Sequence, residues 1–535
     1  MKNFRVKRIH IICLAIATVE ILIASFVLWK NALRDTESSQ LTEKPNIVSE
    51  TQKETSTDQL FNQETLEEGN ISAATTDTGL ATNQSLSSDA VLGFDSNSGM
   101  TSNSNVDTQT LSMRVKLKNS ENTSYEHGEV MITCSDTFHI QSGTKEQIFT
   151  GGQSVTITPD HPFFRDGSIR VASEGGSVII DSILRRGTSH EYKGVLDLYL
   201  GSQGIIIVNE LPLEAYVSRV VPSEMPASYG IEAAKLQAVC ARTYAYERIL
   251  HQKTIDGYGA YVDDSVDYQV YNSAGYQEIS EKGAKETKGI IMMRDGEPIV
   301  PYYFSTSCGY TSDNLAWSGN QTLPYLISLN LTGESNLDLT NETVASNFLQ
   351  NQDEPGIESE MAWYRWRCEI PLDVLQALFS KRLPILQAEQ TSSIQTSGAS
   401  LEAIISSALK SVQVTGRFAG GMASGLELDY EAGKIQVVGE LVIRRLLGEP
   451  NRSYQNKSEE GVSISEGDYL PSAFFCLVPL IKDKTLTGYV ICGGGNGHGI
   501  GLSQNAAYAL LQQGKKWQEI LSFFYQGIAF DTISC

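Results

Sequence analysis

Histidine and basic charge are both scarce in this sequence, and so are the patterns that signal a metal or a nucleic acid. Among 535 residues there are 7 histidines, with no HExxH and no Cys/His cluster at ligand spacing, so no metal and no other cofactor is expected. Lys and Arg number 41 against 63 Asp and Glu, a net charge of −22. That balance excludes nucleic acid as a partner and argues against broad adhesion to an anionic polymer. Any polyanionic ligand must be gripped by a local cleft, against the field of the whole chain. The 8 cysteines show no CxxC and no framework spacing. They read as scattered buried or free thiols, with a Cys476–Cys492 pair left open. Tandem repeats are also missing. The length allows two or three domains, and the 41% hydrophobic content permits a sizeable core.

The N-terminus supplies the long apolar run. Lys2, Arg5, Lys7 and Arg8 precede a stretch from Ile9 to Trp29 that Glu20 alone interrupts with an acid. About twenty such residues span a bilayer as a helix, and the basic flank keeps the near end cytoplasmic. No small-residue cleavage site stands out, and Cys13 lies inside the run, which excludes a lipobox. Residues 1–30 are therefore expected to be a retained single-pass signal anchor, with the body extracytoplasmic. Residues 31–109 are rich in Ser, Thr, Asn, Gln, Asp and Glu and poor in aromatics. Such a segment cannot bury enough surface to fold and is expected to be a disordered tether.

Order is expected from about Leu111. "SMRVKLKN", "GEVMITCSD", "QSVTITPD" and "GIIIVNELPLEAYV" are short alternating or β-branched runs between Gly, Asp and Ser turns. The period then changes. Ile231 to Leu250 has no Gly or Pro, and Ala234, Ala238, Ala241 and Ala245 form a small-residue helical face. Strands return in "KGIIMMRDGEPIVPYYFSTSCGYTSD", with "RDGE" as a hairpin turn. Helices are expected at "LDVLQALFS" and "LEAIISSAL", then strands in "SVQVTGRFAGGMASGLELDYEAGKIQVVG". The chain closes with "CGGGNGHGIGLSQ" and two helical segments. The expected fold class is α+β, a β-rich body with a few packed helices.

Several residues could carry chemistry. The glycines from 493 to 501 lie late in the chain and outside a βαβ unit, so they suggest a tight loop rather than a dinucleotide site. His498 sits among them, either facing a cleft or bonded to its own loop. Ser503 suits a helix N-cap. A Ser–His pair from Ser305 or Ser307 with His498 lacks a nucleophile elbow, and a Cys308–His498 pair is the other nucleophilic option. The stronger candidate is Glu224 in "PSEMP". Its flanking prolines suggest a stiff loop that fixes a side chain at low entropic cost. The following helix carries Lys235, Gln237 and Arg242, and the seven-residue spacing puts Lys235 and Arg242 on one face. They either bind a ligand beside Glu224 or are ordinary solvated charges.

These motifs, taken in order, resemble the SpoIID/LytB family. "LPLEAYVSRVVPSEMPASYGIEAAKLQAVCARTYAY", "DYQVY", "YYFSTSCGYTSDN", "WYRWRCEI", "VTGRFAGG" and "GNGHGIGLSQNAAYAL" carry the resemblance. It covers most of 110–330 and 410–530, and 330–410 matches poorly, as an insertion that could dock a partner. The resemblance implies one SpoIID/LytB-like domain over 110–535. It also implies a lytic transglycosylase cleaving peptidoglycan glycan strands freed of stem peptides, in sporulation, with Glu224 as the lone acid/base. The substrate's own C6 hydroxyl then serves as nucleophile, so one carboxyl suffices where other glycosidases need two. A non-catalytic wall-binding protein that recruits or enhances a peptidoglycan amidase is the alternative. Substrate-binding candidates are Lys235, Gln237, Arg242 and Tyr271, then Ser305, Thr306, His498, Ser503 and Gln504. Where some relatives carry a zinc-binding Cys/His cluster this chain has "YVDDSVDYQVY", so no zinc is expected. Phe304 replaces a histidine often found there and Cys308 a glycine, leaving Ser305 and Thr306 as binders of sugar hydroxyls.

Overall fold

Period-two alternation becomes a sheet at the first ordered residues, where Met113, Val115 and Leu117 are fully buried. The computed structural model describes residues 111–534 apart from 186, 272–276, 319–321, 459 and 465–466. The expected anchor (1–30) and tether (31–109) lie outside the described residues. Among the described residues no helix is long and apolar enough to cross a membrane.

The fold is mixed and β-rich. A seven-stranded sheet runs in the order Val262–Asp263, Ser112–Leu117, Ile205–Pro212, Val195–Leu200, Ile169–Ser173, Phe138–Ser142 and Lys145–Phe149. A four-stranded sheet, Ser154–Ile157, Val130–Thr133, Ser177–Arg185 and Thr188–Lys193, shares its core. The Phe138–Phe149 hairpin and Thr188–Lys193 were not foreseen, because "FHIQS", "KEQIF" and "TSHEYK" alternate weakly and carry polar outer faces.

The Ile231–Leu250 helix separates two cores. Ala234, Ala238, Ala241 and Ala245 pack with the sheets, while Ala233, Leu236, Val239 and Cys240 pack on the other side. Thirteen of its twenty residues are buried, so it is a central helix rather than a surface one. The small face permits close approach: a Cβ on Gly283 would lie 2.6 Å from the Cβ of Ala234. The expected "RDGE" turn is present, with positive φ at Asp295 and Gly296 between strands Ile290–Arg294 and Glu297–Pro298.

Residues 330–410 are woven into the rest of the chain. Trp366–Pro371 pairs with Thr485–Gly493, and Ile394–Ser397 pairs with Gly433–Val438. Helix Leu372–Glu389 buries Leu375, Phe379, Leu383 and Leu386 in the same core as Leu426, Val437 and Leu446. This stretch supplies core, where the sequence suggested room for a docked partner. Helix Leu401–Ile405 is shorter than its apolar run suggested. The six described cysteines are free and buried. Cys476 and Cys492 face each other directly across neighbouring strands.

Candidate functional site

Glu224 does not sit in a loop. It is the last residue of helix Leu213–Glu224, and Pro222 lies inside the final turn. Met225 then turns extended (φ −125°, ψ 121°), as a residue before proline should. The prolines still fix the carboxyl, but by ending a helix there.

Three donors converge on that carboxyl. Val270 donates its backbone N–H to Oε1 at 2.6 Å. The Tyr303 hydroxyl and the Gln504 side chain bond to the same group. Behind Tyr303 stands a directed chain: Tyr216 donates to Gln269 Oε1 (3.1 Å), and Gln269 Nε2 donates to the Tyr303 oxygen (3.1 Å). The Tyr303 proton is thereby left for Glu224. Burial outweighs these donors and pushes the Glu224 carboxyl up to about 7. Its place at the negative end of a helix acts in the same direction. A group so poised holds a proton part of the time at neutral pH and can give or take one. Tyr303→Phe removes a donor that favours the charged form, so the carboxyl should titrate at higher pH, as ¹³C NMR of Glu224 would read.

Tyr303 and Gln269, which connect to this carboxyl, also line a cavity of about 610 Å³; Glu224 itself is not among the lining residues. Tyr244, Tyr268, Tyr302, Tyr303, Trp317 and Tyr469 give it aromatic walls, and Gln269, Asn496, His498, Glu440 and Arg444 add polar points. Its rim is apolar and open, with Val266 80% and Trp317 43% exposed. Flat aromatic faces with a few placed polar groups suit a sugar ring better than a charged polymer alone. Of the acids lining it, Asp267 lies 3.6 Å from Lys118, and Glu440 is ion-paired to Arg444 at 2.8 Å.

His498 lines this cavity and also bonds to its surroundings. Ile500 donates its N–H to Nδ1 (3.2 Å), so Nε2 carries the hydrogen and donates to the Tyr303 carbonyl (2.9 Å). Burial, aided by the Arg444 charge, pulls its pKa down to about 3. A neutral ring with both nitrogens used is no acid/base; it holds Tyr303 and packs tilted against Trp317, centroids 4.6 Å apart. The loop needs its glycines: Gly497 has φ +113°, and a Cβ there would come within 2.7 Å of Phe304.

The other candidates divide. Gln504 donates to the Glu224 carbonyl (3.1 Å) and to Gln237 Oε1 (3.3 Å). Gln237 Nε2 is buried without a hydrogen-bond partner among the described residues. Ser503 caps helix Gln504–Gln512 through the Ala506 N–H. Ser305 and Thr306 are tied to the start of that helix, with Asn505 donating to Thr306 Oγ1 (2.8 Å), and neither lines the cavity.

Lys235, Arg242 and Tyr271 stand elsewhere. The seven-residue spacing does put Lys235 and Arg242 on one face, but that face packs on helix Glu278–Glu286. Lys235 pairs with Glu232 and Glu286, each at 2.8 Å. Arg242 is fully buried, forked onto Glu214 by two 2.7 Å bonds and onto the Ala284 carbonyl. Tyr271 is buried against Tyr216 and donates to Asn209 at 2.7 Å. Replacing Arg242 by Lys loses the fork and should cost about 1–3 kcal/mol in urea unfolding, with glycan binding by the folded fraction unchanged. Cys308 is no nucleophile either: burial raises its thiol to about 11, and it bonds the Tyr310 carbonyl.

Sequence reasoning missed a buried acid. Glu358 accepts from the Ser307 backbone N–H (3.1 Å), from the Ser307 hydroxyl and from the Ser503 hydroxyl (2.6 Å). It ties the "STSC" segment to the N-cap of the helix that carries Gln504. No local pattern around "PGIESEM" signals this.

Comparison with known proteins bears on the same elements. Residues 201–293, which include Glu224, its helix and the Ile231–Leu250 helix, match the SpoIID family, described as Stage II sporulation protein. Over residues 201–293 the chain is thus similar to the SpoIID family. Outside that SpoIID segment, residues 312–501 match a domain of unknown function, DUF8618. The amidase enhancer of Bacillus subtilis (strain 168) is 26% identical over 309 residues, 58% of this chain and 39% of that protein. Stage II sporulation protein D of the same organism is 36% identical over 135 residues, 23% of this chain and 39% of that protein. An uncharacterized protein of Brachyspira hyodysenteriae is 27% identical over 342 residues, 63% of this chain and 72% of that protein. The chain thus spans 39% of the length of each Bacillus subtilis relative.

Proposed function

We propose that this protein is a sporulation-linked lytic transglycosylase of the cell wall. It acts on peptidoglycan glycan strands freed of stem peptides. Residues 1–30 anchor it in the membrane, residues 31–109 serve as its tether, and residues 110–535 form one working body outside the membrane. The observation that carries the reading is Glu224, raised to about 7 and bonded by Tyr303, a residue that lines an aromatic-walled cavity.

In the proposed reaction the protonated Glu224 gives its proton to the glycosidic oxygen leaving muramic acid C1. The resulting carboxylate then takes the proton of the same sugar's C6 hydroxyl, whose oxygen closes on C1 as a 1,6-anhydro ring. Val270, Tyr303 and Gln504 hold the carboxylate between the two transfers, and no water is consumed. Purified glycan strands incubated with the full chain should yield anhydro-muramyl ends by mass spectrometry. Reducing ends in their place would reject the mechanism.

The likeness to an amidase enhancer favours a second reading, in which the same cavity binds wall glycan and a partner amidase does the cutting. Binding without product, whether or not the strands carry stem peptides, would select it.

A further inference from the structure

The aromatic cavity that Tyr303 lines is walled by two segments with separate family matches. Tyr244, Gln269 and the neighbouring residues 266–268 belong to the SpoIID match, whereas Glu440, Arg444, Tyr469 and His498 belong to the second one. The second segment brings the charge. With His498 held neutral, Arg444 is the permanent cation among the described residues that line the cavity.

Arg444 is fixed before any ligand arrives. It stands on helix Glu440–Leu447, donates from Nε to the Leu470 carbonyl (3.0 Å) and from Nη2 to the Pro471 carbonyl (3.3 Å). Nη1 donates to Glu440 Oε1 at 2.8 Å, and Glu440 is itself buried and accepts from the Trp317 indole (3.4 Å). The Tyr469 ring lies 5.7 Å from the guanidinium. These bonds use three of its five N–H donors, so two remain unpaired among the described residues. A locked guanidinium with spare hydrogens in an aromatic-walled cavity is a planar receptor for a carboxylate, and little rotamer freedom is lost on binding. A chain of net charge −22 has no general attraction for acids, so recognition of one must be local, as here.

We propose that Arg444 is the specificity residue of this cavity, receiving the free lactyl carboxylate of N-acetylmuramic acid. The inference rests on the peptidoglycan reading above and assigns its selectivity to a residue of the second segment. Stem-peptide attachment turns that carboxylate into a neutral, bulky amide. Arg444, still paired to Glu440, then gains no second carboxylate, and the spare N–H groups face an obstruction. The preference for stripped strands therefore resides in Arg444, apart from the proton transfers at Glu224.

The test alters the ligand first, so that it does not depend on a variant folding. N-acetylmuramic acid and its methylamide are titrated into the full chain, with tryptophan fluorescence as readout. The free acid should bind at least about tenfold tighter. Arg444→Gln should bring the ratio close to one, and Arg444→Lys, which keeps charge without the fork, should leave a reduced preference. Circular dichroism verifies that each variant is folded. Equal wild-type affinity for acid and methylamide would overturn the proposal, and so would a tenfold preference that survives in Arg444→Gln. Glycan strands methylamidated at the lactyl group separate this from the reaction itself. Anhydro ends formed equally from both strand types would leave the transglycosylase reading intact and remove the Arg444 subsite. A binding preference lost in Arg444→Gln, without anhydro product from either strand, would support the subsite and reject the reaction.

Discussion

Glu224→Gln should still bind glycan strands while its release of anhydro-muramyl ends falls by about a thousandfold, the range lost with a general acid/base. Glutamine keeps the shape of the side chain and an oxygen to accept from Val270 N–H. It can neither give a proton to the leaving oxygen nor take one from the C6 hydroxyl. Loss by misfolding is easily separated, because a neutral amide avoids the burial that raises the carboxyl to about 7. The variant should be at least as resistant to urea as wild type at pH 8. The wild-type pH profile adds a second constraint. Bond cleavage comes first and needs the protonated acid, so kcat/KM should fall as pH rises through about 7. A variant with rates within threefold of wild type, or a wild-type kcat/KM that climbs through that range, would remove Glu224 from the chemistry. A wild-type protein that binds strands and makes no ends at any pH would move the function to an amidase partner.

Much of this architecture was legible because it depends on local patterns. Alternation marked the strands from Met113 onward, "RDGE" marked its hairpin, and alanines at helical spacing marked the close-packed face of Ile231–Leu250. Glu224 was legible through the residues around it, though proline-rich "PSEMP" suggested a loop. A proline in the last turn is tolerated there because it merely ends the helix, and local propensity could not choose between the two. What could not be read was long-range. Spacing showed that Lys235 and Arg242 share a face, but only packing shows that Glu286 and Glu214 occupy it. Tyr303 and Val270 meet Glu224 from segments up to 79 residues away, counted from Tyr303 and Glu224 in the chain, and Gln269 reaches it only through Tyr303. Arg444 and Glu358 come from a stretch whose sequence holds no chemical motif.

Glu358→Ala should destabilise the folded protein by on the order of 3 kcal/mol or more, without touching any residue that lines the cavity. The Ser307 backbone N–H and the Ser307 and Ser503 hydroxyls all lose their acceptor in a buried setting, and each unmet group costs about 1–3 kcal/mol. Activity should fall with stability, since Ser503 caps the helix whose first residue, Gln504, bonds to Glu224. Glu358→Gln separates charge from contact, because it retains an acceptor oxygen. Burial raises the Glu358 carboxyl to about 7, above its ordinary value of 4.5, so the folded state binds the proton more tightly than the unfolded chain. The stability this lends is fully present below 4.5 and is lost as pH rises through 7. It amounts to on the order of 3 kcal/mol, an upper bound. Glu224 contributes in the same direction, and the many exposed acids of this chain add their own slope. The decisive quantity is therefore the difference between Glu358→Gln and wild type in urea unfolding at pH 5 and at pH 8. Relative to wild type, the glutamine variant should gain stability between the two pH values. A difference that stays constant would mean that Glu358 keeps its charge state in the fold and binds the serines as a permanent carboxylate.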